Sequence, residues 1–383
     1  MASVLDITAP RLSLFEKLRQ MNWTLLLLIG AIASVGFAML YSAAGGNWEP
    51  WAGRQAMRFG VGIVLLIVVA LVDLRLWLQA SYLFYAVALV LLIGVEVAGV
   101  VGMGAQRWID LGIVQLQPSE LMKVALIMAL SRYFHGASLD IIGRPTYLIP
   151  PLAMVLIPAA LVMRQPDLGT AVLLVGGGGT IFFMAGVRWW KFAAVAAGAM
   201  VAIPTGWRML RDYQRQRILT FLDPETDPLG AGYHIIQSKI ALGSGGVWGK
   251  GFLQGTQAHL QFLPEHQTDF IFTMLAEELG IVGALGLIVL YILLLGHGFA
   301  IAFRSRNSFG KLLAIGLSVN FFLYAFINMA MVMGLIPVVG VPLPLVSYGG
   351  TAMLALLIGF GLLMGVYVHR DMRIGRRGLG DDF

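Results

Sequence analysis

The sequence predicts an all-α integral membrane protein of about ten transmembrane helices, and three features of the chain support this. Of the 383 residues, 58% are hydrophobic and only 12% are charged, and the mean hydropathy is +0.82. Soluble domains carry about 25% charged residues. Apolar runs long enough to cross a hydrocarbon core of roughly 30 Å recur along the chain, and one long polar stretch, 208–268, separates the seventh run from the eighth.

Each apolar run is predicted to form a helix, because a backbone in lipid must satisfy its own hydrogen bonds and runs of this length exceed barrel strands. The first run, from Trp23, is longer than the apolar region of a signal peptide, so it is interpreted as an uncleaved anchor. We expect one membrane domain over 1–383, with an N-terminal segment 1–22 and a tail 370–383. The predicted spans are 23–42, 59–73, 80–102, 117–135, 147–164, 168–187, 189–207, 269–298, 311–335 and 345–368.

The distribution of lysine and arginine predicts the orientation, because cytoplasmic loops carry an excess of both. With the N-terminus inside, the short outer loops hold only Arg54, Arg58, Arg107 and Arg164. Both termini are therefore expected in the cytoplasm and the long loop 208–268 outside. The inner segments hold fifteen basic residues: Arg11, Lys17, Arg19, Arg75, Arg132, Arg144, Arg188, Lys191, Arg304, Arg306, Lys311, Arg370, Arg373, Arg376 and Arg377.

The net charge of +6 does not indicate a nucleic-acid partner. The basic residues are spread over cytoplasmic helix ends, where anionic membrane lipids account for them. The absence of cysteine excludes disulfides, thiolate metal sites and cysteine nucleophiles.

Asp269 is the first candidate for chemistry, because it lies where the long loop re-enters the membrane. It is preceded one turn upstream by Glu265 and His266. A general base facing the exterior and an acid favoured by the dipole at a helix start are equally consistent with this position. The histidines are too scattered for a zinc site, and the sequence does not identify a metal.

Glu120 and Lys123 are the second candidates. They share one face of the fourth predicted span at i and i+3, after Pro118 in its first turn. A lysine inside a span is costly, and the carboxylate would offset part of that cost. The pattern is consistent with a structural ion pair or with a pair that lines a polar cavity.

Asp167 and a group of loop arginines complete the candidates. Asp167 follows a proline at a helix start, so ordinary capping and a functional role are both open. Arg208, Arg211 and Arg215 are predicted to share one helical face, with Arg217 beside them. These arginines suit either snorkelling to lipid headgroups or bidentate capture of a phosphate.

Two glycine-rich segments carry weaker signals. The stretch 243–255 contains a Gly-Lys pair at Lys250, but the spacing of a phosphate-binding loop is absent. The segment IPVVGVPLPLVSYGGT (336–351) is apolar and irregular, so it is expected to be buried in protein or to line a cavity.

These stretches together make the chain resemble the SEDS family (shape, elongation, division and sporulation), and its rod-shape branch more than its division branch. The resemblance covers most of the chain in family order. The matching segments are RWIDLGIVQLQPSELMK (107–123), RQPDLGTA (164–171), DYQRQRILTFLDPETDPLGAGYHIIQSKIALGSGG (212–246), GKGFLQGTQAHLQFLPEHQTDFIF (249–272), AEELG (276–280) and VVGVPLPLVSYGGT (338–351).

The resemblance implies a peptidoglycan glycosyltransferase of the bacterial inner membrane that polymerises lipid II during cell elongation. It implies Asp269 as catalytic general base, in a single inverting displacement with polyprenyl pyrophosphate as leaving group. A divalent cation such as Mg²⁺ is a candidate cofactor, and a class B penicillin-binding protein is the implied partner, with other elongation proteins. Glu120, Lys123 and Asp167 match polar family positions around the central cavity and are expected to bind substrate. The other residues predicted to bind substrate are Arg208, Arg211, Arg215, Arg217, Lys250 and Glu265.

Two other functions stay open from sequence. A lipid II flippase would use the same substrate but needs a polar path through the bilayer, for which Glu120 and Lys123 are the strongest candidates. A non-catalytic scaffold of the elongation machinery is the third possibility. A long exterior loop favours the polymerase over the flippase.

The predicted orientation can be tested by cysteine labelling, since the chain has no native cysteine. A single cysteine replacing Gly230 should react with an impermeant thiol reagent in intact spheroplasts. A cysteine replacing Gly378 should react only after permeabilisation. The opposite pattern would place the long loop in the cytoplasm and contradict the charge argument.

Overall fold

The computed structural model describes residues 13–102, 105–110, 112, 115–209, 212–224, 231–256 and 265–375. The predicted site residue Arg211 lies outside these residues, as do the labelling positions Gly230 and Gly378. Arg217 lies in a described helix, but its side chain is outside the description.

The described chain is a helical bundle with one small sheet. Three strands, β1 (Val100–Gly102), β2 (Ala105–Asp110) and β3 (Gln115–Leu116), pair antiparallel in chain order. The helices are α1 (Leu14–Arg19), α2 (Trp23–Ala43), α3 (Ala52–Leu71), α4 (Leu74–Ala98), α5 (Pro118–Phe134), α6 (Leu139–Ile142), α7 (Pro145–Arg164), α8 (Leu168–Ala185), α9 (Trp189–Met209), α10 (Asp212–Leu222), α11 (Ala231–Ser244), α12 (Ile271–Arg304), α13 (Ser308–Val332) and α14 (Gly350–Val368).

The predicted all-α membrane architecture is confirmed. Within the described ranges, eight helices are long and apolar enough to cross a membrane. The two other predicted spans correspond to α5, which has 17 residues and contains the pair Glu120 and Lys123, and to α9, whose described apolar part is Trp189–Pro204. The protein is therefore a multi-pass membrane protein.

Several predicted boundaries were wrong. The third span begins at Leu74 and not at 80, and the eighth ends at Arg304 and not at 298. The second span begins at Ala52 and not at 59, since its first turns contain Arg54, Gln55 and Arg58. The third span ends at Ala98 and not at 102, because the apolar residues that follow form β1. The tenth begins at Gly350, after a non-helical stretch over 345–349.

Close helix contacts occur at the glycines of α8. A Cβ on Gly178 would lie 2.6 Å from a methyl of Val155 in α7, and one on Gly176 would lie 2.8 Å from Leu323 in α13. Small residues let neighbouring helices approach closely in a membrane bundle. The glycine run therefore fixes α8 between α7 and α13.

The long loop 208–268 contains two described helices, α10 and α11. Ser238 of α11 is fully buried and hydrogen-bonds to Thr273 of α12 (2.8 Å) and to the carbonyl of Val332 (2.7 Å). One face of α11 therefore packs on protein.

Helix α12 is broken at Gly280, where φ is +66° and ψ is −166°. The carbonyls of Glu277 and Glu278 accept hydrogen bonds from the amides of Lys250 and Gly251, each at 3.0 Å. In return, the amides of residues 281 and 282 donate to carbonyls of residues 246 and 247. The outer loop thus satisfies the backbone groups that the break exposes, as a membrane protein requires.

We predict that Gly249→Ala destabilises the fold. Gly249 has φ +80°, and a Cβ there would lie 2.1 Å from the carbonyl oxygen of Glu278. The free energy of unfolding should fall by at least about 2 kcal/mol, since a forced left-handed conformation alone costs of order 1–3 kcal/mol. Thermal unfolding in detergent measures this.

The matched control is Gly30→Ala in α2, where a Cβ would meet nothing within 4 Å. This substitution should leave the melting temperature unchanged or raise it slightly, because alanine favours a helix interior. Equal melting temperatures for Gly249→Ala and Gly30→Ala would contradict a stabilising role for the hydrogen bonds between the segment 246–251 and the break in α12.

Candidate active site around Asp269

Asp269 lies in the turn 265–270, directly before α12 begins at Ile271. Its side chain is partly buried and hydrogen-bonded to the side chain of Glu265. It also interacts electrostatically with Asp167 and Arg107. The structure therefore brings together three predicted acids from two distant motifs, with one arginine beside them.

The surroundings raise the pKa of Asp269 to about 7, far above its ordinary value of 3.8. Burial is the largest cause, followed by the negative charge of Glu265, the hydrogen bond with Glu265 and the charge of Asp167; the positive charge of Arg107 lowers the pKa. A carboxyl group with a pKa near the working pH can accept a proton and release it again.

Asp167 performs the capping role that its position after a proline suggested. Its two carboxylate oxygens accept from the amide (3.1 Å) and the hydroxyl (2.9 Å) of Thr170 at the start of α8. It is only 3% exposed and interacts electrostatically with both Asp269 and Lys123. The sequence left capping and a functional role as alternatives for Asp167. In the structure Asp167 caps α8 and also lies among the charged residues of the site.

Glu120 and Lys123 form the predicted pair on α5. The ammonium lies 2.6 Å from Glu120 Oε1, and both side chains are nearly inaccessible. The other carboxylate oxygen accepts a hydrogen bond from the hydroxyl of Tyr324 (2.6 Å), and the ammonium sits 4.1 Å from the centre of the Tyr324 ring. The tyrosine, which the sequence reasoning did not identify, completes this buried cluster.

The same cluster lines a small cavity between α5, α13 and α14. Most of the lining is apolar, and Asn320 is its remaining polar member. The Asn320 side-chain oxygen is buried without a hydrogen-bond partner in the described part of the chain. The pair is therefore both an internal ion pair and part of a cavity wall.

Arg107 was quoted within a family motif but not predicted as a site residue. It lies in β2, and its guanidinium donates to the carbonyl oxygens of Gln165 (2.9 Å) and Pro166. It therefore holds the turn that precedes Asp167. One sequence signal could have identified Arg107 as a site residue. It is one of the few basic residues in the short loops that were predicted to lie outside.

The predicted arginine face on one helix was wrong. Arg208 is in the last turn of α9, whereas Arg215 belongs to α10, because the helix ends at Met209 and a second one begins at Asp212. The guanidinium of Arg215 donates to the carbonyl oxygens of Trp207 (3.0 Å) and Arg208 (2.7 Å). This contact caps the end of α9.

Lys250 and Glu265 lie in different parts of the outer region. The Lys250 ammonium is 2.7 Å from Glu277, which is fully buried, and 2.8 Å from the hydroxyl of Thr256. This binds the loop to α12. Glu265 is partly buried beside Asp269, and a substrate contact of either residue stays a prediction.

The described residues contain no group of three or more histidine, aspartate or glutamate side chains that could hold a metal ion. A divalent cation stays a prediction.

Comparison with known proteins identifies relatives over nearly the whole chain. Residues 17–372 match the family model FTSW_RODA_SPOVE, described as "Cell cycle protein". The chain is 46% identical to the peptidoglycan glycosyltransferase MrdB of Escherichia coli strain K12, over 91% of this chain and 94% of that protein. It is 35% identical to the stage V sporulation protein E of Bacillus subtilis, over 90% and 94%.

Solved structures share the fold. A structure described as "Structural coordination of polymerization and crosslinking by a peptidoglycan synthase complex" superposes with a TM-score of 0.80 at 34% identity, covering 92% of this chain and 99% of that one. The rod-shape-determining protein RodA of Thermus thermophilus gives a TM-score of 0.70 at 28% identity, covering 92% and 98%.

We predict that Glu120→Ala and Lys123→Ala each destabilise the protein by about 3–5 kcal/mol, because each leaves one buried charge without its partner. The exchange Glu120→Lys with Lys123→Glu should restore stability only in part, since the Tyr324 hydroxyl would then face an ammonium. Unfolding in detergent measures these effects.

The control is the exposed pair of Arg164 and Glu96, whose charged atoms are 3.9 Å apart. Arg164→Ala should change stability by less than about 1 kcal/mol. If Glu120→Ala behaved like this control, the buried pair would not stabilise the bundle.

Proposed function

The chain belongs to the FtsW, RodA and SpoVE family of cell cycle proteins, and we infer that it is a peptidoglycan glycosyltransferase. Its substrate is lipid II, which it polymerises into glycan strands during cell elongation. The 46% identity to an enzyme of this name over 91% of the chain supports the activity. The likeness to the rod-shape-determining protein RodA of Thermus thermophilus supports a role in cell elongation.

The observation that carries the mechanism is the carboxyl group of Asp269 at the outer end of α12, with its pKa raised to about 7. As carboxylate, it accepts the proton of the 4-hydroxyl of the acceptor sugar. That oxygen attacks the anomeric carbon of the lipid-linked donor with inversion, and the bond to polyprenyl pyrophosphate breaks. A positioned general base contributes about 10²–10⁴-fold to the rate.

The leaving pyrophosphate needs positive charge near the outer membrane surface. Arg208 is exposed in the last turn of α9, and Arg215 lies beside it. Arg211 and Arg217 follow in the same stretch of sequence. We assign these arginines to the pyrophosphate, where electrostatic stabilisation can equal or exceed the effect of the base.

Lys123, Glu120 and Asp167 bind the sugar or the lipid-linked phosphate from the bundle side in this proposal. The three residues interact electrostatically around Lys123, and Asp167 also reaches Asp269. Glu265 shares the proton of Asp269, and Lys250 acts by holding the loop on Glu277.

The protein is placed in the bacterial inner membrane, with both termini cytoplasmic and the long loop periplasmic. This orientation follows from the asymmetry of lysine and arginine. The partner is a class B penicillin-binding protein, which crosslinks the strands as they form. The likeness to a peptidoglycan synthase complex that combines polymerization with crosslinking supports this partner.

We predict that Asp269→Asn lowers kcat for lipid II polymerisation at least about a hundredfold while lipid II binding and the melting temperature stay close to wild type. The amide keeps the size of the side chain but cannot accept the proton. Purified protein with lipid II in detergent, alone and with the transpeptidase, measures this.

The pH profile supplies the control for this assignment. Below pH 7 the Asp269 carboxyl is protonated and cannot act as a base, so wild-type kcat/KM should rise with pH through about 7. Normal polymer from Asp269→Asn would refute the base. Flipping in vesicles without polymer would favour the flippase, and neither activity would favour a scaffold.

A further inference from the structure

The turn that carries Asp269 is held by three hydrogen bonds from residues without an assigned role. The carbonyls of 267, 268 and 269 accept in succession from the amide of Tyr348 (2.9 Å), the hydroxyl of Ser347 (2.6 Å) and the side-chain amide of Asn328 (2.8 Å). Three consecutive carbonyl groups held in this way leave the turn little freedom to move. Two of the three donors are side chains and can be removed by substitution.

Asn328 holds two segments at once. It is fully buried in α13, and its Nδ2 donates to the carbonyl of Asp269 and to that of Val341 (2.7 Å). The opposite orientation of the amide would place its oxygen against two carbonyl oxygens, so the hydrogen bonds determine which atom is the nitrogen. Asn328 is therefore a donor to both segments.

The second segment lies near the carboxyl group itself. A Cβ on Gly340, the residue before Val341, would lie 3.4 Å from Oδ2 of Asp269. Asn328 thus ties the backbone of Asp269 to the segment that lies against its carboxylate. A displacement of either segment would change the surroundings of this group.

Ser347 makes the equivalent link one residue earlier. Its hydroxyl accepts from the amide of Leu343 (2.7 Å) and donates to the carbonyl of Thr268. Ser347 is 4% exposed, so water does not readily replace these bonds. The only proton of the hydroxyl is committed to the turn that carries Asp269.

We propose that Asn328 and Ser347 are positioning residues for the Asp269 carboxylate, holding it against the 340–341 segment and the acids around it. This inference rests on the proposed function, in which Asp269 is the base. Neither side chain is assigned a contact with substrate. A small misplacement of a catalytic group can cost about a hundredfold in rate.

The test uses the full-length chain with Ser347→Ala and Asn328→Leu. Each variant removes a donor to the turn, and Ser347→Thr keeps the hydroxyl. The control is Ser318→Ala in the same helix as Asn328, because the buried Ser318 hydroxyl donates only to the Ala314 carbonyl within α13. Ser347→Ala is the smaller change, so it remains informative if Asn328→Leu does not fold.

Two measurements are made on folded protein. The first is kcat and KM for lipid II. The second is the titration of Asp269 without substrate, from pH-difference infrared spectra in which the Asp269→Asn variant identifies its carboxyl band. The charged groups that act on this titration are Glu265, Asp167 and Arg107.

We expect Ser347→Ala and Asn328→Leu to lower kcat about tenfold or more, with KM within about twofold of wild type. The midpoint of the Asp269 titration should fall from about 7 as the carboxyl group moves toward water. Ser347→Thr and Ser318→Ala should retain wild-type values of both. The positioning role would be overturned if the two donor variants, Ser347→Ala and Asn328→Leu, kept the wild-type titration midpoint of Asp269. It would also be overturned if their midpoint shifted while their kcat stayed at the wild-type value.

A failure of the proposed function is distinguishable from a failure of this inference. If Asp269 is not the base, Asp269→Asn polymerises lipid II normally. If the positioning role is wrong, Asp269→Asn is inactive but the two donor variants keep the wild-type kcat per folded molecule and the wild-type titration.

Discussion

Backbone groups at membrane depth must find partners within the protein, and this requirement shapes the site. Helices satisfy it internally, but the outer end of this bundle contains a broken helix, a turn and an irregular loop. The break at Gly280 is satisfied by the segment 246–251, and the turn 265–270 is satisfied by the loop 340–348 and by α13. The non-helical segments thus satisfy one another's backbone hydrogen bonds, and these hydrogen bonds determine the position of Asp269.

Buried charges also need partners within the protein. Lys123 is nearly inaccessible and is surrounded by the carboxylate of Glu120, the ring of Tyr324 and the charge of Asp167. Each charge is costly to bury alone, so removal of one member leaves the others uncompensated. The cluster is consequently both a structural element of the bundle and a polar wall of its cavity.

Around Asp269 the balance is different, because negative charges outnumber positive ones. Asp269 lies among Glu265, Asp167 and Arg107, and burial together with the two acids outweighs the arginine. The resulting pKa near 7 suits proton exchange at neutral pH. A base at this depth also fits a lipid-linked substrate, since the carrier can stay in the bilayer while the sugar chain extends outward.

Local patterns in the sequence were sufficient for the architecture and for part of the site. Hydropathy located the eight described helices that are long and apolar enough to cross a membrane, because crossing a bilayer requires long apolar runs. The i, i+3 spacing paired Glu120 with Lys123 because helical geometry is regular. The family motifs identified the segments around Asp269, but they did not say which of their side chains touch.

The tertiary structure alone decided the contacts between distant segments. It placed Arg107 on the turn before Asp167, the Tyr324 hydroxyl on Glu120 and Asn328 between Asp269 and Val341. It also separated Arg208 from Arg215 into two helices, where a single periodic pattern had predicted one face. The physical reason is that such contacts depend on where helices end and how helices pack. Helix ends and packing in turn depend on hydrogen bonds to residues that are distant in the sequence.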